Sequence, residues 1–308
     1  MTSAIIAILG GLIALAIGGE LLVRGAVGLA RKLGISNLIT GLVIVGAATS
    51  MPEMVASVQA ALVGSPEIAW GNIAGSNIAN SLLILGASAL IAPIAITGIG
   101  KRDAAVALAA SALLWVLTWV QFGTPLVGAA LLLLLGVYIY WRYNHPRTAA
   151  DEAEMGEDPA MSWTAAILLT AGGVGALVLG GNWLVGGAID IARMAGISET
   201  VIGLTIVAVG TSLPELAASA AAAFRGKAGL AIGNVVGSNI YNILLIGGAT
   251  MVLAPFPVPL ELVDLEVPLV VATAALVWGL LAYGRRIGRV TGLLLLLAFA
   301  ANTAFQFS

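Results

Sequence analysis

An all-α polytopic membrane protein, with ten transmembrane helices in two inverted five-helix repeats, is expected from three features of the chain. The first is composition. Of 308 residues, 60% are hydrophobic and 9% charged, and the mean hydropathy is +1.07. Several apolar runs exceed the roughly 18 residues needed to cross a bilayer. The second is an internal duplication. Residues 41–86 contain GLVIVGAATSMPE and then GNIAGSNIANSLLILG; residues 203–248, displaced by 162 positions without insertion or deletion, contain GLTIVAVGTSLPE and then GNVVGSNIYNILLIGG. The third is parity. Each copy belongs to a set of five apolar segments, an odd number, so the second set must enter the membrane in the opposite sense to the first.

Taken in order, the apolar runs predict helices at 3–30, 37–63, 67–92, 103–121 and 124–143 in a first repeat, residues 1–143. A second repeat, residues 162–308, carries helices at 162–192, 199–224, 228–254, 264–283 and 287–305. Charged or Pro/Gly breaks separate them. The intervening linker, 144–161, holds Asp151, Glu152, Glu154, Glu157 and Asp158 and reads as a solvated connection rather than a cation sensor. The opening MTSAII has no positively charged stretch, so the first apolar segment reads as a span and not as a cleaved signal. The absence of cysteine excludes disulfides and thiolate metal sites. His145, the single histidine, sits in the linker, which excludes a histidine proton relay.

Cations set the orientation. With both termini outside, the cytoplasmic loops hold Arg31, Lys32, Lys101, Arg102, Arg142, Arg147, Arg225, Lys227, Arg285, Arg286 and Arg289, while the opposite side has only Arg193. The outer loop around Glu261, Asp264 and Glu266 is acidic, and Tyr138, Tyr140, Trp141 and Tyr143 cluster as an interfacial belt would. This places the chain in the cell (inner or plasma) membrane, with the central linker cytoplasmic. Glu20 and Arg24, four apart on the first helix, read as a structural ion pair. Asp190 and Arg193 lie near an outer helix end and read as solvated.

The polar residues of the duplicated stretch need a separate account. In the second helix Thr49 and Glu53 share a face, with Ser50 beside them, and Pro52 frees a carbonyl one turn earlier, so a kink or unwound turn is expected there. Thr211, Ser212, Pro214 and Glu215 repeat the arrangement. In the third helix Asn72, Ser76 and Asn80 form a stripe at i, i+4, i+8, repeated by Asn234, Ser238 and Asn242, and Gly71, Gly75, Gly233 and Gly237 allow close helix approach. For any one of the Ser, Thr or Asn residues, packing and interhelical hydrogen bonding is an alternative role. The glutamates are different. An ionised carboxylate at midplane costs at least about 2.5 kcal/mol unless paired, and these helices carry no Lys, Arg or His at that depth. A bound cation or protons must therefore balance the charge, and oxygen ligands without nitrogen or sulfur suit Ca²⁺ or Na⁺.

The paired motifs, Thr-Ser-x-Pro-Glu and then Gly-Asn-x-x-Gly-Ser-Asn-Ile-x-Asn, resemble the two alpha repeats of the cation/calcium exchanger superfamily, in its prokaryotic sodium/calcium exchanger branch. The resemblance spans the chain in length and helix count and is most specific in 41–86 and 203–248. It implies Ca²⁺/Na⁺ antiport by alternating access, without cofactor, nucleotide or nucleic acid, by a chain that functions as a monomer in the lipid bilayer. By the same resemblance, Glu53 and Glu215 are shared between Ca²⁺ and Na⁺, and the carbonyls of Thr49 and Thr211 complete the calcium site. Ser50, Ser76 and the Gly46 carbonyl line one sodium site; Thr211, Ser238 and the Ala208 carbonyl line another, with Asn80 and Asn242 flanking the centre and Ser212 repeating Ser50. The chain departs from the pattern at Asn242, where sodium/calcium exchangers commonly carry aspartate. Gly75, Ser76, Gly237 and Ser238 stand where proton-coupled exchangers show an acidic residue shortly after Gly-Asn, which favours sodium. An H⁺- or K⁺-coupled divalent-cation exchanger is the alternative within the class, and a cation channel the alternative outside it.

Overall fold

The computed structural model describes residues 2–35, 37–62, 64, 66–96, 100–144, 161–195, 208–262 and 264–306. Residues 145–160, which make up nearly all of the expected linker, and the first nine residues of the helix expected at 199–224 lie outside this set. So do the side chains of Arg193, Ala208 and Glu261.

The described chain is helical apart from one two-residue strand pair. In order come α1 (Thr2–Leu33), α2 (Leu38–Thr49), α3 (Met51–Leu62), α4 (Pro66–Ile91), α5 (Lys101–Val120) and α6 (Pro125–Asn144). There follow α7 (Trp163–Met194), α8 (Ala208–Thr211), α9 (Leu213–Phe224), α10 (Ala228–Leu253), α11 (Glu266–Tyr283) and α12 (Arg289–Gln306). Among the described residues seven helices are long and apolar enough to cross a membrane, or eight when α2 and α3, bent by 46° at Ser50, count as one. The strands β1 (Ile94–Ala95) and β2 (Arg286–Ile287), which the helical expectation did not include, pair antiparallel and join the α4–α5 loop to the α11–α12 turn.

Large apolar side chains face outward on the outer helices: Leu126, Leu133 and Val137 on α6, Leu294 and Leu297 on α12, and Ile6, Ile13 and Ile17 on α1. Hydroxyls, amides and two carboxylates are buried at the centre, among them Ser57, Asn77, Asn80, Ser219, Asn239 and Asn242. Such a distribution is stable only if the outside is lipid, because water would leave a wide apolar surface unpaid.

Lipid gives apolar side chains no reason to associate, so the helices must be held by close packing and internal hydrogen bonds. Glycine supplies the close packing. On α1, Gly11, Gly18 and Gly25 recur every seven residues, and on the antiparallel α7, Gly173, Gly180 and Gly187 do the same. A Cβ on Gly11 would stand 2.7 Å from the Gly180 carbonyl oxygen, one on Gly18 2.8 Å from the Leu177 nitrogen, and one on Gly187 2.6 Å from the Ala4 oxygen. Only bare backbone fits, so α1 and α7 form one tight pair with the seven-residue register of a left-handed crossing. The central helices use the same device. Gly41 of α2 and Gly233 of α10 each leave 2.5 Å between a Cβ and an opposing carbonyl oxygen, Leu230 and Leu38 respectively. Gly86 of α4 meets Gly292 of α12, and Gly248 of α10 meets Gly128 of α6. The core is therefore α2, α3, α4, α8, α9 and α10, and the α1/α7 pair lies against it.

Candidate cation site

Two bends build the site. The chain leaves helical geometry at Ser50 (φ −82°, ψ 5°) and at Ser212 (φ −90°, ψ 5°), in each case two residues before a proline that has no N–H for the preceding turn. The kink expected beside Pro52 and Pro214 is present at both. Its consequence is that Glu53 and Glu215 fall in the first turn of new helices, α3 and α9, where the positive end of the helix dipole faces the carboxylate.

The two acids meet. Glu53 and Glu215 are each 2% exposed, close enough for the charge of one to act on the other. The Glu53 carboxyl faces the Ser212 hydroxyl, and the Glu215 carboxyl faces Thr49 and Ser50. These are approaches of neighbours outside hydrogen-bond geometry, since Glu53 Oε2, both Glu215 oxygens and the Ser50 and Ser212 hydroxyls have no hydrogen-bonding partner in the protein. Among the described residues no Lys or Arg pairs with either acid. Ser238 Oγ, Asn80 Oδ1 and Asn242 Oδ1 are also buried and unpartnered. An unsatisfied buried polar atom costs about 1–3 kcal/mol. Eight such atoms carry a cost of the same order as a whole folding stability of about 5–15 kcal/mol, which positive charge brought into the site would relieve. The arrangement is a set of oxygen acceptors, suited to a hard cation.

The amides of the polar stripe divide into two roles. Asn72 Nδ2 donates to the Glu53 carbonyl (3.3 Å) and to Ser57 Oγ (2.9 Å); Asn234 Nδ2 donates to the Glu215 carbonyl (3.2 Å) and to Ser219 Oγ (2.8 Å). Each amide thus fixes the backbone of the glutamate-bearing helix from the helix behind it. Asn234 Oδ1 also accepts from the Thr49 hydroxyl at 3.2 Å, tying α2 to α10. Asn80 and Asn242 behave differently: each opens a π-helical turn, Asn80–Ile84 in α4 and Asn242–Gly247 in α10. The first turn packs against α9 and the second against α3. A π turn offsets the side chain from the α-helical row, a distortion frequent at functional sites.

Of the remaining candidates, Thr49, Gly46 and Ser76 are buried on α2 and α4, and Thr211, half-buried, ends α8, which Ala208 begins. The Gly46 carbonyl accepts the Ser50 N–H at 3.1 Å. Residue reading missed Ser57 and Ser219, four positions after each glutamate, although their recurrence at the same offset of 162 was visible. It also missed Asn239, whose Nδ2 donates to Ser81 Oγ at 3.0 Å and joins α10 to α4. Glu20 does pair with Arg24, at 2.6 Å, and takes a second partner in Arg225 on the α9–α10 turn.

Access to the site is lopsided. On α1, a Cβ at Gly19 would stand 2.9 Å from the Ala217 carbonyl of α9. At Gly181 of α7, 162 positions on, the nearest atoms are Gly210 O at 3.9 Å and Pro214 Cδ at 4.0 Å, also of the second half. Both helices of the pair therefore lean on α8 and α9. The matching face of α3 is uncovered, with Met51 38% and Val55 51% exposed.

A multi-pass helical membrane protein with an acid pair inside an oxygen-lined centre is the class that fold and site define. The sequence profile of the sodium/calcium exchanger protein family matches residues 3–144 and 165–308, and the chain belongs to that family. Its relatives include CaxA of Alkalimonas amylolytica, 38% identical over all of both chains. The sodium/calcium exchanger MaX1 of Methanosarcina acetivorans is 29% identical over 94% of this chain and 95% of its own. Among solved structures, the sodium-calcium exchanger NCX_Mj soaked with zero Na⁺ and Ca²⁺ superposes with a TM-score of 0.86, at 31% identity, over 99% of each chain.

Proposed function

We propose that Glu53 and Glu215 are the shared ligands of the transported cations, and that ions supply the positive charge these acids lack. The chain is a Ca²⁺/Na⁺ antiporter that works by alternating access, a transporter and not an enzyme, with the two ions as substrates and no cofactor. The carbonyls of Thr49 and Thr211 join the acids around Ca²⁺. Gly46, Ser50 and Ser76 serve Na⁺ on one side; Ala208, Thr211, Ser212 and Ser238 serve it on the other, with Asn80 and Asn242 flanking. The observation that carries this reading is the set of buried, unpartnered oxygens that includes those of two neighbouring carboxylates.

Exchange follows from electrostatics. Two carboxylates balance one Ca²⁺, and Na⁺ competes because it needs the same oxygens. With neither ion bound, two unpaired buried charges face each other at a cost of several kcal/mol, so the loaded protein is the one that switches. The α1/α7 pair, resting on glycine backbone, slides across the core to uncover one side at a time. Ten spans in two inverted repeats, residues 1–143 and 162–308, with both termini outside and a cytoplasmic linker, agree with the 162-residue offset and with the loop cations. In that orientation the uncovered face of α3 opens to the outside. A single chain holds both acids, which favours a monomeric unit.

The test is Na⁺-gradient-driven uptake of radiolabelled Ca²⁺ into vesicles holding the purified protein. Glu53→Gln and Glu215→Gln are each expected to abolish it, and undiminished exchange in either would sink the assignment.

A further inference from the structure

The π turn that Asn242 opens closes at Gly247, and the four residues between them are Ile243, Leu244, Leu245 and Ile246. The glycine stands against Trp70 of α4, a side chain only 1% exposed. A Cβ on Gly247 would lie 3.1 Å from Cη2 and 3.3 Å from Cζ3 of that indole, and 3.8 Å from the Asn242 carbonyl oxygen. A π-helical hydrogen bond reaches five residues back, which from Gly247 is Asn242. The outer edge of the indole therefore bears on the residue that ends the turn begun at Asn242.

On either side of this turn α10 is fixed to a different helix. Before it, Gly233 and Gly237 seat on Leu38 and Leu42 of α2; after it, Gly248 seats on Gly128 of α6. An α-helix advances about 100° per residue, so a turn without the extra residue would swing one seat off its partner by about that angle. Moved by one position, the turn would bring to the indole either Ile246, whose branched side chain has no room there, or Gly248, which is already seated. The duplication shows a matched pair. Displaced by 162 positions, Trp70 corresponds to Ile232 and Gly247 to Leu85, both buried. One half sets a large side chain against none, and the other has two of middle size. The indole also brings a buried N–H that finds no hydrogen-bonding partner among the described residues, a penalty that leucine would not carry, so its reach is what suits it to the place. We propose that Trp70 is a positioning residue for ion binding: its edge props the turn Asn242–Gly247 and so holds Asn242 at the flank of the acid pair. The consequence for ions rests on Asn242 being a ligand; the propping of the turn does not.

Two measurements test this on the full chain. In detergent, backbone deuterium uptake over 242–247 is expected to be faster in Trp70→Ile than in the parent, and to return to the parent rate in Trp70→Ile combined with Gly247→Leu, which imports the pair found in the other half. Uptake unchanged in the single variant would overturn the prop. In vesicles, Trp70→Ile is expected to raise the Ca²⁺ concentration for half-maximal exchange about tenfold, a quantity that, unlike the maximal rate, does not depend on how much protein folds. The same substitution made on top of Asn242→Ala is expected to add nothing. An equal rise in both backgrounds would show that Trp70 does not act through Asn242 and would overturn the positioning role. Gly247→Ala, one carbon set against the ring, is expected to shift both readouts in the same direction and decides the matter if Trp70→Ile does not fold. Should Asn242→Ala alone leave half-saturation unchanged, the ligand reading fails and takes the positioning role with it, while deuterium uptake still decides the prop.

Discussion

Glu53 and Glu215 define the protein through what does not surround them. Each would be a folding defect if it stood alone, and the pair becomes useful because hydroxyl, amide and carboxylate oxygens gather there with no guanidinium or ammonium paired to either acid among the described residues. The clamping amides are the less visible half of the arrangement. Asn72 and Asn234 hold the glutamate backbones rather than the ions, so Asn234→Ala is expected to lower exchange and to cost about 1–3 kcal/mol of stability, as read by the uptake assay and by thermal unfolding. Asn242 contributes an oxygen and no charge. Asn242→Asp puts a titratable acid beside the other two, and its exchange rate is expected to fall as pH is lowered more steeply than that of the parent, because protons then compete for the new ligand. The four amides looked equivalent in the sequence, spaced by eight on one face of each helix. Which of them clamps and which faces the centre depends on the helix opposite and on a π turn, neither of which local spacing encodes.

The helices show the same division between legible and hidden. Their limits follow from apolar runs closed by charge, proline and glycine, and, apart from the start of the helix expected at 199–224, which lies outside the described residues, the observed bounds lie within about three residues of the expected ones, the ordinary uncertainty of a helix end. The kink beside Pro52 and Pro214 was equally readable, because a missing N–H is a covalent fact. The glycine register of the α1/α7 pair was not, since the same residues could serve flexibility, and only the partner backbone at 2.7–2.8 Å assigns them to contact. Gly18→Leu is expected to wedge the pair apart, at a cost of about 1–3 kcal/mol or more, and to reduce the yield of folded protein. Gly175→Ala on α7, with nothing within 4 Å of its Cβ, is expected to leave yield and unfolding midpoint unchanged. Size-exclusion profiles and thermal unfolding of the two variants side by side make the comparison.

For the assembled protein, the duplication fixes a pseudo-symmetry that the packing then breaks. Gly19 is seated on α9, while its counterpart Gly181 has no such seat on α3. If this lopsidedness belongs to one of two transport states, tying α1 to α9 should hold the protein there. A Cβ at Gly19 lies 3.1 Å from Ala221 Cβ, a few tenths of an ångström short of disulfide separation, and the chain has no cysteine of its own. Gly19→Cys with Ala221→Cys is therefore expected to lose exchange on oxidation and recover it on reduction, measured as Na⁺-dependent Ca²⁺ uptake. Uptake unaffected by a fully formed cross-link would show that this contact does not open during transport.

Composition, periodicity and the doubled motif carried the membrane setting, the helix limits, the acid pair and its kinks, because each depends on covalent chemistry or on a local run of side chains. The roles of the amides, the π turns, the glycine seam and the open flank of α3 came from contacts between residues far apart in the chain, 185 positions in the case of Thr49 and Asn234. No local pattern reports such contacts. Whether a polar oxygen buried in lipid is a clamp, a ligand or a defect is settled by the atom that faces it across the helix interface.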